Sequence, residues 1–396
     1  AGFTGRCRDT YGSCRNSNRQ YVELASLSRR SILVVTRNYP PLTGGMERLM
    51  QHTVETLASV YDVTLIGPQG CGEYSPGNVQ TIECPASPLS FLTSALLKGG
   101  RAARKNSFDI VLGGSGLVSP ITCRLASKAK ARAVIFVHGL DLVVDNWIYQ
   151  RVFVPFLSRH DRVIANSRNT RTLAIDKGCP ASRVEIVNPG STIPPDSLLE
   201  QADAVREKLG LANSKVVLSV GRMVPRKGLA EFLENAWPRI IDAQPNAILL
   251  IVGDTPDDAL LKDSKGTKRL MDAIDRCGAD TVRFVGAVVD ETLWNCYTAA
   301  HSLVFPLIRV KGDVEGFCMV AIEAAAAGTP TVAFPVGGIV DAVSHGTNGL
   351  LVPESDYQAF ADAVVSSCQG SPSSSSDCRN HALQFSWEAH GRKLLA

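Results

Sequence analysis

The stretch 216-VVLSVGRMVPRKG-228 decides the fold. Its first five residues are an apolar, valine-rich run, the pattern of a strand covered on both faces. Gly221 then turns the chain, presents Arg222, and brings Lys227 close to the start of a helical segment. Strand, glycine turn and helix in that order make half of a βαβ unit.

The same alternation runs through the chain. Apolar runs in the first half are 32-ILVVT-36, 63-VTLI-66, 110-IVLG-113, 133-AVIFV-137, 163-VIA-165 and 184-VEIV-187. Those in the second half are 216-VVLSV-220, 248-ILLIV-252, 282-VRFVG-286, 303-LVFP-306, 331-TVAF-334 and 350-LLVP-353. Met46 to Ala58 is a clear intervening helix, with Met46, Leu49, Met50, Val54, Leu57 and Ala58 on one stripe. The segment 188-NPGSTIPPD-196, rich in Pro, Gly and polar residues, reads as a linker. The expected class is therefore α/β, with two Rossmann-like domains of parallel strands at 31–190 and 197–375. Open sheets of this kind bind ligands beyond the carboxyl ends of their strands, so two of them facing each other enclose a deep cleft. Residues 1–30, polar and Arg-rich without an apolar run, read as a loose tail rather than a secretory signal. Ser371 to Asp377 reads as a loop. The segment 381-HALQFSWEAH-390 reads as an amphipathic helix, so that 376–396 packs back toward the cleft or the first domain.

Composition narrows the class further. The 396 residues are 45% hydrophobic and 20% charged, which excludes collagen, coiled coil and wholesale disorder. No run of about 18 apolar residues is present to span a bilayer. Eleven cysteines, with no CxxC pair and no Cys/His zinc spacing, suit a reduced, cytoplasmic setting. The net charge of +3 conceals an asymmetry: residues 1–190 carry 23 Lys and Arg against 13 Asp and Glu, and the remainder carries 18 against 25. A basic half suits an anionic membrane surface or a phosphate-bearing acceptor. Nucleic acid is not expected as a partner, because the basic residues lack interleaved aromatics.

Three segments of the second half carry candidate chemistry. In 219-SVGRMVPRKG-228, Arg222 and Lys227 are two fixed cations beside a helix start, suited to a diphosphate. In 315-EGFCMVAIE-323, Glu315 and Glu323 bracket a glycine and the start of a helix near Cys318. In 326-AAGTPTVAFPVGGIVDAV-343, Gly328 stops that helix and Gly337-Gly338 form a second close turn. In the first half, Gly44-Gly45 precede a helix, and His138 ends an apolar strand with Asp141 three residues on.

GRMVPRKG, then VGD at 252–254, then EGFCMVAIE, then AAGTPTVAF with PVGG resemble the C-terminal half of the family 4 retaining glycosyltransferases of GT-B fold. The resemblance extends from about Ser31 to the end, through 39-YPPLTGGMERL-49, 136-FVHGLD-141 and 165-ANSRNT-170. It implies that the second domain holds a nucleotide sugar. Arg222 and Lys227 match the contacts to the donor diphosphate, Glu323 the carboxylate that accepts ribose hydroxyls, and Glu315 the carboxylate near the donor sugar. Gly316 would let the backbone come close to the donor, and backbone N–H groups of Phe317, Cys318 and Met319 would cradle sugar and phosphate oxygens. Gly253-Asp254 and Val285-Gly286 would frame the base, while Gly44 and Gly45 approach the donor phosphate from the opposite side. His138 would hydrogen-bond the donor sugar or a reacting oxygen. The family more often has glycine where Cys318 stands.

The implied reaction is hexose transfer with retention by front-side attack, the departing phosphate taking the acceptor proton. No metal and no cofactor are implied. Asp313-Val314-Glu315-Gly316 and 35-VTRNYPPLTGGMERL-49 resemble bacterial mannosyl- and rhamnosyltransferases of phosphatidylinositol mannoside and surface-polysaccharide assembly, so a GDP-linked donor and a lipid-linked or saccharide acceptor are expected. In 91-FLTSALLKGGRAARK-105, Phe91 and Leu92 precede Lys98, Arg101, Arg104 and Lys105, a pattern suited to peripheral contact with an anionic inner leaflet. Gly99-Gly100 should weaken that helix. Other readings are a UDP-sugar transferase, a nucleotide-sugar epimerase and a non-catalytic nucleotide binder. The absence of a G-x-G-x-x-G after an early strand argues against a dinucleotide oxidoreductase.

Overall fold

A computed structural model describes residues 29–253, 264–370 and 373–396. The expected tail lies almost wholly outside these residues, as does Asp254. The first lobe is a seven-stranded sheet of β1 (Ser31–Val35), β2 (Asp62–Pro68), β3 (Gln80–Cys84), β4 (Ile110–Gly113), β5 (Arg132–Val137), β6 (Arg162–Ala165) and β7 (Val184–Ile186). The second holds β8 (Lys215–Val220), β9 (Ala247–Val252), β10 (Val282–Gly286), β11 (Ser302–Phe305), β12 (Thr331–Ala333) and β13 (Gly349–Leu351). Strand orders are β3-β2-β1-β4-β5-β6-β7 and β10-β9-β8-β11-β12-β13, and every neighbouring pair is parallel. Each order reverses beside its first strand, between β1 and β4 and between β8 and β11. A crevice opens at such a reversal, outside the carboxyl ends of the strands.

The apolar runs behave as a doubly covered sheet requires. All six residues of β9 are buried. In β1, Ile32 and Val34 pack with Met50, Val54 and Leu57 of α1 (Gly45–Ala58), while Leu33 and Val35 face the opposite side with Phe91, Ala95 and Leu125. No helix among the described residues is long and apolar enough to cross a membrane. The nine described cysteines are free thiols.

Two sequence expectations need correction. Helix α2 (Pro88–Lys105) runs unbroken through Gly99-Gly100. A methyl at Gly99 would lie 2.7 Å from Leu125 Cδ1 and 2.9 Å from Ile66 Cδ1, so this glycine allows close helix packing. Phe91 is fully buried in the core and offers nothing to a bilayer, and Leu92 is only partly exposed. The outward apolar residues of α2 are Leu89, Leu96 and Leu97.

The C-terminal segment forms two helices rather than the single one expected over 381–390. Helix α4 (Ser375–Leu383), capped by Ser374 Oγ accepting from the Asp377 N–H at 3.1 Å, packs on α3 (Met319–Ala326). The chain then breaks at Gln384–Ser386, where Ser386 Oγ caps α5 (Trp387–Leu395). Apolar residues of α4 belong to the second lobe's core, whereas α5 crosses to the first lobe. His52 of α1 stacks on Trp387 with ring centroids 3.9 Å apart, and His390 Nδ1–H donates to Asn188 O at 2.9 Å. Two passes of chain therefore join the lobes side by side, bridged at Ser191 and Ser386.

Gly190 lies where these passes touch. A methyl there would fall 2.3 Å from Trp387 Cε3 and 2.8 Å from its Cα. Gly190→Ala should therefore destabilise the chain by about 1–3 kcal/mol through overpacking. The expected signs are a lower melting temperature and red-shifted tryptophan emission; an unchanged melt would show that the two passes are not tightly seated.

Candidate active site

The site begins with glycines that let backbone segments touch. Gly221 and Gly253 end β8 and β9, both with φ of +138°, and a methyl at Gly253 would sit 2.0 Å from Gly221 O. The following turn, Pro225–Lys227, closes on Gly228 in the left-handed region. A methyl at Gly228 would meet Pro306 O at 1.9 Å. This fit holds Lys227 with its Nζ 4.0 Å above the ring of Phe305 and 2.9 Å from Glu315 Oε2. Arg222 is exposed and lines the same small hollow as Lys227, at the ends of β8 and β11.

Arg226, which the sequence reading passed over, is better buried than either. It pairs with Asp313 at 3.0 Å and reaches Glu315 Oε2 at 3.4 Å. Burial pushes the Glu315 carboxyl up, but Lys227 and Arg226 together outweigh it and hold the group below the usual carboxylate range. The loop carrying Glu315 is bolted down from behind: Gly338 N–H donates to Glu315 O at 2.8 Å, and a methyl at Gly338 would lie 1.9 Å from Gly316 O. Gly337 would clash likewise with Glu315 O at 2.7 Å, so the Gly337-Gly338 pair is a close approach and not an ordinary turn.

Cys318 precedes α3 with φ of +74°, a conformation that strains any residue with a Cβ. Its thiol is buried and pushed well above the usual range, which leaves it protonated. Among the described residues, the N–H groups of Phe317, Cys318 and Met319 find no acceptor. Glu323 lies beyond the first turn of α3, so interaction with the helix dipole does not explain it. Its side chain is 3% exposed, yet both oxygens are met: Tyr297 O–H donates to Oε2 at 2.7 Å and Arg48 to Oε1 at 2.6 Å. Val285 is exposed on the edge strand β10, and Gly253 N–H donates to Gly286 O at 2.9 Å.

The first lobe closes over this surface. A methyl at Gly45 would touch Met319 Sδ at 3.3 Å, and one at Gly316 would lie 2.1 Å from His138 O and 2.8 Å from Asn166 Nδ2. Gly44, with φ of +151°, precedes α1. His138 Nε2–H donates to Gly114 O at 2.7 Å, which in the neutral ring leaves Nδ1 as an acceptor. Asp141 positions this end of the sheet, its two oxygens accepting from the N–H groups of His138 and Gly116, each at 2.8 Å. Three buried polar atoms at the ends of β4, β5 and β6 have no partner among the described residues: Ser115 Oγ, His138 Nδ1 and Asn166 Oδ1. Buried orphans of this kind ordinarily meet water or a ligand.

Among the described residues, three ion pairs cross between the lobes: Arg48–Glu323, Arg168–Asp341 at 2.7 Å and Lys311–Asp145 at 3.0 Å. The first two set a cation of the basic half against an acid of the acidic half. Lys227 thus pairs with Glu315 beside Arg222, Glu323 meets Arg48 of the first lobe, and Gly45 and the His138 carbonyl lie against Met319 and Gly316. The basic residues of α2, Lys98, Arg101, Arg104 and Lys105, are exposed. Arg48, Arg226, Tyr297 and Asn166 were missed, because no spacing rule joins Arg48 to a carboxylate 275 positions away. No group of three or more His, Cys, Asp or Glu side chains placed to hold a metal ion occurs among the described residues.

A family model described as Glycosyltransferase Family 4 matches residues 43–191, and one described as Glycosyl transferases group 1 matches residues 214–369. The GDP-mannose-dependent alpha-(1-6)-phosphatidylinositol monomannoside mannosyltransferase of Mycolicibacterium smegmatis is 28% identical over 350 residues, 84% of this chain and 88% of that protein. The D-inositol 3-phosphate glycosyltransferase of Mycobacteroides abscessus is 34% identical over 240 residues, 60% of this chain; the chain spans about half of that protein's length, 51%. Anabaena HepE, solved in complex with UDP, superposes with a TM-score of 0.73 at 21% identity, covering 92% of this chain and 98% of that one. This last likeness is one of fold.

The depressed Glu315 carboxyl carries a pH signature. A carboxyl lowered in the folded state contributes stability above its unfolded pKa, and that contribution is lost as pH falls through the folded value. Stability should therefore decline below about pH 4.5. In Glu315→Gln this acid limb should flatten, with a loss of about 1–3 kcal/mol at neutral pH as Lys227 and Arg226 lose their charged partner. Parallel acid limbs in denaturant melts of the two proteins would contradict this account.

Proposed function

Because this chain belongs to the family 4 glycosyltransferases and has the GT-B fold, we propose that it moves a hexose with retention from a GDP-linked, mannose-type donor to a lipid-linked or saccharide acceptor. What supports the reading is the Lys227–Glu315 pair beside Arg222, with Glu323 meeting the first lobe at Arg48 and the His138 carbonyl lying against Gly316. Lys227 and Arg222 neutralise the diphosphate as it departs, the moment at which negative charge develops. The free N–H groups ahead of α3 add fixed dipoles of the same sign. Glu323 accepts hydroxyls of the donor ribose. Glu315, already ionised between two cations, faces the sugar and steadies positive charge at the anomeric carbon. His138 Nδ1, with Ser115 and Asn166 beside it, accepts or donates to hydroxyls of the reacting sugars. The acceptor attacks from the face the diphosphate leaves, and a phosphate oxygen takes the proton. The reaction as proposed needs no metal, because the two cations do the neutralising. Closure of the lobes excludes water and limits hydrolysis.

Support for the donor comes from the relative named as GDP-mannose-dependent, which aligns over most of both chains. Both relatives are named for inositol-bearing substrates, which favours a polyol acceptor carrying phosphate. The acceptor side suits an anionic bilayer. Helix α2, the helix Ser119–Ala129 and the segments Trp147–Val152 and Val154–Arg159 pack in sequence along the first lobe. Together they carry Lys98, Arg101, Arg104, Lys105, Arg124, Lys128, Arg151 and Arg159 and no acid. Leu89, Leu97, Trp147, Ile148 and Val152 are exposed among these charges. Basic residues near an anionic surface contribute about 1 kcal/mol each, and exposed apolar side chains add insertion.

Three experiments test this. Thermal shifts with GDP, UDP and ADP should be largest for GDP, since a ligand that binds only the folded chain raises its melting temperature. Lys227→Ala should lower kcat/KM by about 100-fold, and Glu323→Ala should weaken nucleotide binding by roughly 10-fold or more. Unchanged transfer in both variants would place the chemistry elsewhere. In a flotation assay, vesicles containing phosphatidylinositol should carry the protein, and neutral phosphatidylcholine vesicles should not. Replacing Leu97 and Trp147 by Ser should abolish flotation while leaving nucleotide binding intact.

A further inference from the structure

Glu323 has two partners of different kinds. Tyr297 belongs to the same lobe, is fully buried, and is kept protonated by its burial and by the neighbouring carboxylate, so it donates permanently. Arg48 comes from the other lobe, on the first turn of α1, and its side chain is 41% exposed. Its charge is assured, because the Glu323 carboxylate pushes the guanidinium further up. Next to it, Glu47 is buried and accepts from Asn38 Nδ2 at 2.9 Å, which fixes the turn that presents Arg48.

We infer that Arg48 is a latch: it occupies Glu323 Oε1 while the cleft is empty, holds the lobes together there, and is evicted when the donor's ribose takes its place. The inference rests on the reading of Glu323 as the ribose acceptor. A carboxylate this buried needs donors at both oxygens. Tyr297 supplies one in either state. The second must come from Arg48 in the empty cleft and from a ribose hydroxyl in the filled one. Arg48 is thus a positioning residue that makes donor binding compete with lobe closure. The lobes part to release Arg48 and then close again on the sugar nucleotide.

The test uses the full-length chain with Arg48→Ala and Arg48→Gln, each checked for an unchanged far-UV spectrum. Calorimetry measures binding of guanosine and of GDP, and small-angle scattering gives the radius of gyration without ligand. A latch predicts roughly 3- to 10-fold tighter binding of both guanosine and GDP, because the competitor is gone. It also predicts a larger radius of gyration for the empty variants than for the parent. Weaker GDP binding with guanosine unchanged would instead make Arg48 a phosphate contact and overturn the latch. No change in either affinity would overturn it as well. Glu323→Ala separates the two levels of the argument. If it weakens nucleotide binding while the Arg48 variants do not tighten it, the ribose site stands and the latch fails. If it leaves binding unchanged, both fail.

Discussion

Charge buried in the second lobe is the constraint around which the cleft is organised. Glu315 and Glu323 are taken out of water, and each is tolerable only because cations or hydroxyls meet its oxygens. For Glu315 the compensation is local, from two consecutive residues of one turn. For Glu323 half of it comes from the other lobe. The second lobe therefore carries a polar group whose surroundings are completed by the first lobe.

Backbone proximity makes this possible. The loop Asp313–Phe317 is pressed between Gly337-Gly338 on one side and His138 with Asn166 on the other, with several contacts in which a single methyl would collide with main-chain atoms. Such packing fixes Glu315 without a rigid element of its own. Strain is concentrated just after this loop at Cys318, which holds a left-handed conformation without being glycine. Its thiol is buried and pushed well above the usual range, which keeps it protonated.

Much of this was legible in the residues. Unbroken valine and isoleucine runs such as Ala247–Val252 announce doubly covered parallel strands, and all six residues of that run are indeed buried. The cations of 219-SVGRMVPRKG-228 follow directly on an apolar run, so the sequence already places them just beyond a strand. What escaped was whatever depends on a partner distant in sequence. Arg48 reads as a solvated helix residue until the other lobe is beside it. Arg226 was overshadowed by Lys227, although the turn geometry brings both onto Glu315. Gly99 read only as a weak point of its helix because the side chains of Leu125 and Ile66 that require it small lie on other elements. Phe91 was taken for an outward residue because the apolar stripe of a helix does not state which of its edges meets the sheet.

The return of the last helix to the first lobe has a mechanical consequence. A single covalent tether lets two bodies swivel about any axis. Two tethers anchored side by side, as at Ser191 and Ser386, suppress twisting and leave rotation about the line that joins them, like a door hung on two pins. The aromatic stack of His52 on Trp387 lies beside that line, and Arg48, one turn before His52 on α1, sits close to it as well.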